Sequence, residues 1–445
     1  MKAGENRMSQ HTRLAELGDE RLTAADKGLP ARADGLTVRE FLATSPRLAE
    51  FWTPLLALDD RALAANARVI QGWCNDRGLE LMPHGKTTMA PALWERQLDA
   101  GATGLTLATP GQVRTARSFG VASIMLANTV VAPAALAFIA AELADPGFAF
   151  RAWVDSVESV EAMERGLTGP PAPLPRRIDV LVELGGAGGR TGARGVSEAA
   201  RVAERVAASP VLRLAGTAGY EGSLGHDRSP EAVAAVRGYL AEMLELHDIV
   251  GAITGGGGDG AAADHDGARE LIITAGGSAY LDLVAEVFAP AISAATAAGD
   301  GTRWILRSGA SLLHDDGFYR GISPLDAELT PAMRGYARVV SHPEPGLALL
   351  DGGKRDFPYD EGLPVPFGVA AAPGADERPL AAASVTALND QHAYLRSDSA
   401  LPIAIGEVVS LGLSHPCTAF DKWRFIPVVE GGGSDRVVEL VRTFF

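Results

Sequence analysis

The residue with the clearest chemical potential is Lys86, which follows the short apolar run Leu79–Pro83. A run of this kind, closed by Pro-His-Gly-Lys-Thr, is typical of a strand that ends just before the lysine. An amine held at a strand end can be desolvated, lose its proton and form an imine with an aldehyde. Position alone fits an ordinary loop lysine equally well, so other residues must decide between the two interpretations.

A second candidate is the pair formed by His415 and Cys417, two positions apart near the C-terminus. On a strand, residues with this spacing point to the same face, so an imidazole and a thiolate converge on one ion. Sulfur is a soft ligand, and the pair suits Zn²⁺ in particular. Two protein ligands would leave coordination positions for water and substrate. The alternative interpretation is that Cys417 is a buried free cysteine that binds no metal and that His415 is unrelated to it.

A third candidate is the turn that contains Thr274, Gly276, Gly277 and Ser278. The pattern predicts a strand that ends at Ala275 and a helix that begins near Ser278. The two glycines let the backbone come close to a ligand, and the amides and the helix N-terminus would receive a phosphate group. Without further context, the same letters describe a plain turn.

The elements that position these residues repeat one pattern from about Thr53 to Ser308, in which an apolar run is followed by an amphipathic helical stretch. Strands that alternate with helices form a parallel sheet. Eight such units close a barrel whose active site lies at the C-terminal ends of the strands. The same alternation of strands and helices is also compatible with an open doubly wound sheet. Nine runs are present, one more than a barrel needs, so either the first or the last serves elsewhere: Pro54–Leu58, Leu79–Pro83, Gly104–Ala108, Ser123–Ala127, Phe148–Val154, Ile178–Leu184, Leu212–Ala218, Leu271–Ala275 and Arg303–Leu306.

After Pro324 the sequence pattern changes to short strand-like runs separated by turns that contain Pro, Gly and Asp. This pattern predicts an antiparallel β domain. The runs are Arg338–Val340, Leu347–Leu350, Ala382–Leu388, Glu407–Leu411 and Arg424–Val429. The predicted fold class is therefore α/β, with a TIM-like (β/α)8 barrel over residues 48–323 and a β domain over residues 324–445. The N-terminal segment 1–47 lacks the barrel rhythm and is expected to pack on the β domain. The glycine-rich stretch 254–267 precedes no strand-to-helix turn and is predicted to be a surface loop.

Composition limits the function classes. The formal net charge of −15 disfavours nucleic acid and anionic membrane surfaces as main partners, because both need a basic face. With two cysteines, Cys74 and Cys417, a disulfide framework is excluded and a reducing compartment is expected. Residues 1–22 carry no apolar core of signal-peptide length, so a cytoplasmic protein is predicted.

Beyond these physical patterns, a series of motifs resembles the D-serine dehydratase and D-threonine aldolase group. These enzymes are relatives of alanine racemase with a barrel of fold type III that binds pyridoxal phosphate (PLP). The motifs keep the family's order over most of the chain from Thr53: Pro83–Thr87, Gly101–Thr109, Val182–Leu184, Gly188–Gly192, Gly219–Gly222, Thr274–Tyr280, Arg307–Gly309 and Ser414–Thr418.

The resemblance implies roles for five residues at the barrel. Lys86 matches the lysine that binds PLP, and His84 and Thr87 would line the same strand end. Arg190 matches an arginine near the phenolic oxygen of the cofactor, where a fixed cation stabilises the phenolate. Tyr220 matches a tyrosine near the pyridine ring. With the barrel implied, the turn at Thr274, Gly276, Gly277 and Ser278 becomes the leading phosphate site.

The resemblance also bears on the metal. Dehydratase members hold zinc with a His-x-Cys pair like His415 and Cys417, whereas aldolase members typically have aspartate in place of the cysteine and use another divalent ion. His392 lies where relatives carry an acidic-acidic-His segment, and it is either a supporting residue or a solvent-facing loop histidine.

The implied activity is a PLP- and zinc-dependent lyase that eliminates water from a D-3-hydroxy amino acid to give a 2-keto acid and ammonia. Lys86 would act as the general base. A retro-aldol cleavage to glycine and an aldehyde is the nearest alternative. A racemase is disfavoured because no second catalytic tyrosine is evident, and a non-catalytic PLP carrier is disfavoured because such proteins lack the β domain. The relatives form dimers, so a homodimer is expected.

Overall fold

A computed structural model describes residues 13–168, 174–225, 227–255 and 270–445 of the chain. The predicted loop at 254–267 lies almost wholly outside these residues. The strands, in chain order, are β1 (Leu55–Asp59), β2 (Glu80–Leu81), β3 (Leu105–Leu107), β4 (Ser123–Leu126), β5 (Ala149–Val154), β6 (Ile178–Gly185), β7 (Ala193–Arg194), β8 (Leu212–Gly219), β9 (Ile272–Ala275), β10 (Arg303–Leu306), β11 (Met333–Glu344), β12 (Leu347–Leu350), β13 (Val365–Ala370), β14 (Arg378–Pro379), β15 (Ser384–Leu388), β16 (Ala393–Arg396), β17 (Val408–Gly412), β18 (Phe425–Gly431) and β19 (Ser434–Arg442).

The α-helices of the described residues are α1 (Val38–Ala43), α2 (Asp60–Asn75), α3 (Pro91–Asp99), α4 (Pro110–Ser118), α5 (Pro133–Glu142), α6 (Val157–Leu167), α7 (Val196–Ala207), α8 (Pro230–Gly255), α9 (Leu281–Ala298) and α10 (Pro416–Phe420). Local chemistry fixes several of their starts. Both α4 and α5 begin with proline, whose missing N–H costs nothing at the first helical position. The Thr109 side chain caps α4 by accepting the N–H of Gln112.

The chain divides into two compact units. The first comprises residues 71–86 and the described part of 101–309, and the second comprises residues 13–70, 87–100 and 310–445. Compared with the predicted division at residues 48 and 324, the second unit also takes in residues 48–70, 87–100 and 310–323.

The first unit is built on eight parallel strands in the order β2-β10-β9-β8-β6-β5-β4-β3, and β7 pairs with the end of β6. A parallel bridge between His84, just after β2, and Thr106 of β3 joins the two ends of this sheet. The sheet is therefore closed into a barrel, as predicted, and the open doubly wound alternative is wrong. Helices α4 to α9 connect successive strands from β3 to β10.

Side chains fill the barrel interior, as in other barrels of this architecture. They form one buried cluster: Met82, Met125, Trp153, Leu181, Ala218, Ile272 and Ile305. Helix α9 is long and apolar enough to cross a membrane by length and composition. Its Leu281, Val284 and Phe288 are buried, and Phe288 packs edge-on against Trp304 of β10, so its apolar face is that of a core helix.

The second unit contains a ten-stranded sheet with the path β14-β13-β17-β11-β1-β18-β19, to which β12, β15 and β16 are joined. All its pairs are antiparallel except β1 with β18. The predicted run Pro54–Leu58 is the extra one, because β1 pairs here and the other eight runs build the barrel.

The N-terminal segment contributes Leu22, Val38 and Phe41 to a buried cluster with Phe425 and Val437 of β18 and β19. The cluster lies wholly within the second unit. These apolar contacts place the segment against the antiparallel sheet.

Candidate functional site

Lys86, the predicted cofactor lysine, lies in the segment that follows β2. The chain passes through His84 into the 3-10 turn Gly85–Thr87, which holds Lys86 half-buried. The buried His84 Nδ1 has no hydrogen-bond partner. Burial, together with the charges of Lys86, Arg307 and Arg190, holds the pKa of His84 well below its ordinary value of 6.5. The site therefore presents a neutral imidazole next to the predicted cofactor lysine.

A buried arginine, Arg307, follows β10 and has no exposed surface. It donates hydrogen bonds to Thr274 Oγ1 (2.6 Å) and to the Gly219 carbonyl (2.5 Å), and its Cζ lies 4.8 Å from the centre of the Trp153 ring. Its Nε has no partner. Burial lowers the pKa of Arg307 to about 10, against the charge of Glu221 and other acidic groups. Since Thr274 Oγ1 donates to a backbone carbonyl and accepts from Arg307, this threonine is occupied in positioning the arginine.

The structure brings the predicted residues Arg190 and Tyr220 together. The exposed Arg190 has its Cζ 5.5 Å from the centre of the half-buried Tyr220 ring. Both line a small cavity with Glu183 and Thr191. The Thr191 hydroxyl donates to Glu183 Oε1 at 2.8 Å, and Oε2 has no partner. Burial raises the pKa of Glu183 above its ordinary value of 4.5, although the hydrogen bond from Thr191 opposes this shift.

The glycine turn differs from its prediction in two ways. Helix α9 begins at Leu281 rather than near Ser278, so three bent residues separate the glycines from the helix. The amides of Gly276 and Gly277 donate to the two oxygens of Glu221, at 2.8 and 2.9 Å. A carboxylate therefore uses the donors that were assigned to the phosphate.

Close backbone approach at this turn is nevertheless real. A Cβ on Gly277 would lie 3.0 Å from the Tyr220 ring, and a Cβ on Gly309 would lie 2.7 Å from His84. The hydroxyls of Ser278 and Ser308 lie 2.7 Å apart, both buried. These two hydroxyls are the side-chain donors that the turn offers to an anion.

The barrel end as a whole fits a bound polar cofactor. Six buried polar atoms among the described residues of this unit lack partners, and four of them belong to residues in the last part of a barrel strand or just after it, namely His84 Nδ1, Trp153 Nε1, Glu183 Oε2 and Arg307 Nε. Buried polar atoms in folded proteins are almost always paired with protein groups, water or a ligand. Together with Lys86, they fit a ligand such as PLP, which has an aldehyde, a phenolic oxygen, a ring nitrogen and a phosphate.

The predicted metal pair lies in the second unit. The strand on which the prediction relied is wrong, because His415 has a left-handed φ of 37° and Cys417 lies in α10. The two side chains are nevertheless near enough for Cys417 to raise the pKa of His415. The Cys417 thiol also lies 3.6 Å from Thr87 Oγ1. No group of three or more His, Cys, Asp or Glu residues converges as a metal site among the described residues, so the pair offers two protein ligands.

The ring of His415 is held from its other side by Asp360. The His415 Nδ1 lies 2.6 Å from Asp360 Oδ2, and the Thr418 hydroxyl donates to Asp360 Oδ1 at 2.7 Å. Burial alone would lower the pKa of His415, but Cys417 and Asp360 outweigh it and raise the pKa to about 9. An imidazole and a thiol of this kind are the donor set that suits zinc.

His392 is not brought to either group. It is exposed in the turn of the β15–β16 hairpin, where its carbonyl accepts the N–H of Asn389 at 2.8 Å. This position matches the solvent-facing alternative for His392. A cavity of about 370 Å³ elsewhere in the second unit contains none of the predicted site residues, and its Asp316 is already paired with Arg320 and Arg334.

Several site residues had no role in the prediction, among them Glu221, Arg307 and Asp360. Glu221 and Arg307 stood inside the family motifs, and the motif letters gave no sign that both would be buried charges. Asp360 is 55 residues from His415, so no spacing rule could have joined them. A buried charge inside a motif is the signal that, in retrospect, could have identified the first two.

Comparisons with known proteins agree with this arrangement. Residues 332–429 match the family described as "Putative serine dehydratase domain". The chain is 27% identical to the D-threonine aldolase of an Arthrobacter species over 402 residues, which cover 88% of this chain and 93% of that enzyme.

Two solved structures share the fold. The D-threonine aldolase of Filomicrobium marinum superposes with a TM-score of 0.70 at 23% identity, covering 89% of this chain and 96% of its own. The D-threo-3-hydroxyaspartate dehydratase of Delftia sp. HT23 gives a TM-score of 0.69 at 21% identity, covering 89% and 99%. Two further matching structures of a D-threo-3-hydroxyaspartate dehydratase are a cysteine-to-alanine mutant in the metal-free form and a mutant of a histidine two positions before that cysteine.

Proposed function

We propose that this chain is a PLP-dependent lyase of the D-serine dehydratase and D-threonine aldolase family, of fold type III, and that it removes water from a D-3-hydroxy amino acid. The substrate is of the D-serine or D-threonine type. Loss of the α-proton and the β-hydroxide, followed by hydrolysis of the released product, yields a 2-keto acid and ammonia.

One observation carries the cofactor part of this proposal. Around Lys86, the C-terminal end of the barrel holds buried polar atoms that no protein group satisfies, including His84 Nδ1 and Arg307 Nε. When bound, PLP makes the α-hydrogen of an amino acid acidic by withdrawing electrons from its α-carbon. The amine of Lys86 then serves as the base that removes this hydrogen.

The surrounding residues hold the cofactor and keep that amine useful. The neutral His84 does not compete as a second cation beside Lys86. The Arg190 guanidinium supplies a positive charge beside Tyr220 and would stabilise a phenolate oxygen there. The hydroxyls of Ser278 and Ser308 would donate to the phosphate.

His415 and Cys417 would hold the metal ion, which we propose to be zinc. The ion would polarise the β-hydroxyl of the substrate and make it a better leaving group. The thiolate at position 417 supports zinc over a hard ion. Support also comes from solved structures of a D-threo-3-hydroxyaspartate dehydratase in which a histidine and a cysteine with the same spacing were each mutated, the cysteine mutant being described in the metal-free form.

Cleavage of a 3-hydroxy-D-amino acid to glycine and an aldehyde is the second candidate. The D-threonine aldolase of Arthrobacter, at 27% identity, favours it. The same Lys86 and the same metal pair would serve this reaction, with the proton taken from the β-hydroxyl instead of the α-carbon.

A product assay distinguishes the two reactions. Purified protein loaded with PLP and Zn²⁺ is given D-serine, D-threonine and D-threo-3-hydroxyaspartate, and keto acid, ammonia, glycine and aldehyde are measured together. Equal amounts of keto acid and ammonia, lost on chelation, are expected. Glycine with an equal amount of aldehyde would reject the dehydratase and select the aldolase.

Matched variants assign the residues. Lys86→Ala should abolish turnover and the covalent PLP chromophore, whereas Lys354→Ala, at an exposed lysine of the second unit, should retain both. Cys417→Ser should lose the metal-dependent activity, whereas Cys74→Ser, at the buried cysteine of α2, should keep it. Full turnover by Lys86→Ala would overturn the assignment of the base. A cytoplasmic homodimer remains part of the proposal, on the basis of the charge, the two free cysteines and the family.

A further inference from the structure

The ring of His415 is anchored by a hydrogen-bond network that the family motifs do not contain. Asp360, in the loop between β12 and β13, accepts the His415 Nδ1 at 2.6 Å through one oxygen and the Thr418 hydroxyl at 2.7 Å through the other. Thr418 lies three residues after His415, so a single short segment contacts both oxygens of the carboxylate. All three residues belong to the second unit.

This arrangement determines which imidazole nitrogen is available. A carboxylate that accepts Nδ1–H fixes the ring in the tautomer whose Nε2 carries the lone pair. It also fixes the orientation of the ring and makes Nε2 a stronger donor, which is the function of carboxylates behind metal-binding histidines in general.

The thiol ligand has a comparable support. Cys417 Sγ lies 3.6 Å from Thr87 Oγ1, and Thr87 is buried. Each of the two proposed ligands therefore has a side-chain contact of its own, His415 with Asp360 and Cys417 with Thr87. Free rotation of either side chain would cost one of these contacts.

We propose that Asp360 is a positioning residue for the metal ion: by holding Nδ1 of His415, it directs Nε2 toward the ion that His415 binds with Cys417. The inference rests on the proposed metal function of that pair and adds a third residue, 55 positions earlier in the chain. Thr418 holds Asp360 in place through its hydroxyl.

The test measures Zn²⁺ affinity directly, on full-length protein loaded with PLP, by competition with a chelating dye. Asp360→Asn is nearly isosteric, but its amide can donate as well as accept and no longer selects the tautomer. We expect Zn²⁺ affinity to fall about 10- to 100-fold, the usual cost of losing such a partner. Thr418→Val should weaken affinity in the same direction by less, because Asp360 keeps its contact with the ring.

A nearby carboxylate provides the control for a general loss of negative charge. Asp421 follows α10 and pairs with Lys422 at the surface (3.3 Å). Asp421→Asn should leave Zn²⁺ affinity within about twofold of wild type, because exposed charges interact weakly. The PLP absorbance and thermal unfolding of all variants without added metal check that the fold is intact.

The outcomes are distinguishable. If the wild-type protein and Cys417→Ser bind Zn²⁺ equally weakly, the proposed metal pair fails. If Cys417→Ser loses binding while Asp360→Asn matches wild type, the pair stands and the positioning function of Asp360 is refuted. If Asp360→Asn and Asp421→Asn lose the same amount of Zn²⁺ affinity, the loss comes from the change in overall charge, and the positioning function of Asp360 is again refuted.

Discussion

The buried carboxylate of Glu221 should stabilise the fold by holding the glycine turn after β9, and the variant Glu221→Gln tests this. The side chain is fully buried, and its two oxygens accept the amides of Gly276 (2.8 Å) and Gly277 (2.9 Å). Glutamine has one acceptor oxygen, so its NH₂ group would face an amide N–H. One buried donor would then lose its partner.

The size of the effect follows from these two bonds. A hydrogen bond to a charged acceptor contributes about 1.5–3 kcal/mol, a neutral one contributes about 1 kcal/mol, and a buried unpaired donor costs about 1–3 kcal/mol. In Glu221→Gln, one of the two hydrogen bonds becomes a weaker neutral bond and the other is lost, which leaves an unpaired donor. Together these changes should lower the free energy of unfolding by roughly 2–4 kcal/mol. The nearby Arg307 would lose a compensating negative charge in addition.

The assay is urea unfolding of the PLP-free protein, followed by tryptophan fluorescence, with Glu183→Gln as the matched control. Glu183 is also a buried glutamate, yet it accepts a hydrogen bond only from Thr191, its Oε2 has no partner, and burial raises its pKa. A neutral amide should therefore change the free energy of unfolding by less than about 1 kcal/mol. If Glu221→Gln unfolds within 1 kcal/mol of wild type, or if both variants lose the same amount, the assignment of the two amides to Glu221 is refuted.

Further predictions concern thiol reactivity, pH and backbone strain. Burial raises the pKa of Cys74 to about 12, so a thiol reagent should modify only Cys417 in the native metal-free protein and both cysteines in denaturant. Because the folded-state pKa of Glu183 is raised, the folded chain keeps a proton that the unfolded chain releases, and wild-type stability should fall as pH rises above 4.5. Glu183→Gln removes this loss, so unfolding curves should show it gaining on wild type as the pH rises above 4.5. Gly216→Ala should prevent folding, because its Cβ would lie 1.9 Å from a carbonyl oxygen of β9, whereas Gly238→Ala, in open space on α8, should raise the melting temperature slightly.

The barrel could be predicted because its strands and helices are local patterns. Each of the eight apolar runs is a buried parallel strand, and the helix after it has its own amphipathic period, so neither required knowledge of distant contacts. The run Pro54–Leu58 is a strand whose position could not be predicted from local patterns. It has the same composition as a barrel strand, but its partners are Met333–Tyr336 and Val428–Val429, which lie hundreds of residues away.

In the second unit, the strands missed by the prediction have identifiable causes. β13 contains Pro366 and Gly368, which weaken a strand signal, and β19 mixes charged with apolar residues. The tight turn at His415 is another such case. Two residues that are apart by two positions meet there because of a left-handed backbone and a short helix, and not because they share a strand face.

The site was predictable to the extent that motifs carry it, and its electrostatics were not. The pKa of His84 is depressed by burial and by the charges of Lys86, Arg307 and Arg190, which stand on three separate strand ends. No sequence pattern reports how three cations on distant segments add at one imidazole. Among the described residues, the carboxylates of Glu221 and Glu183 lie near enough to Arg307 to oppose this positive charge.

This excess of positive charge has a functional consequence. A surface that holds several cations within a low-dielectric pocket attracts anions, and a phosphate-bearing cofactor is an anion. The two amides that a phosphate would normally use are occupied by Glu221, which fixes the turn at the cost of one negative charge. Arg307, fully buried and held by Thr274, offsets that charge, so Lys86 and Arg190 remain as the cations available to the cofactor. Glu221 and Arg307 thus have structural roles, and the cations Lys86 and Arg190 would be left to bind PLP at the same end of the barrel.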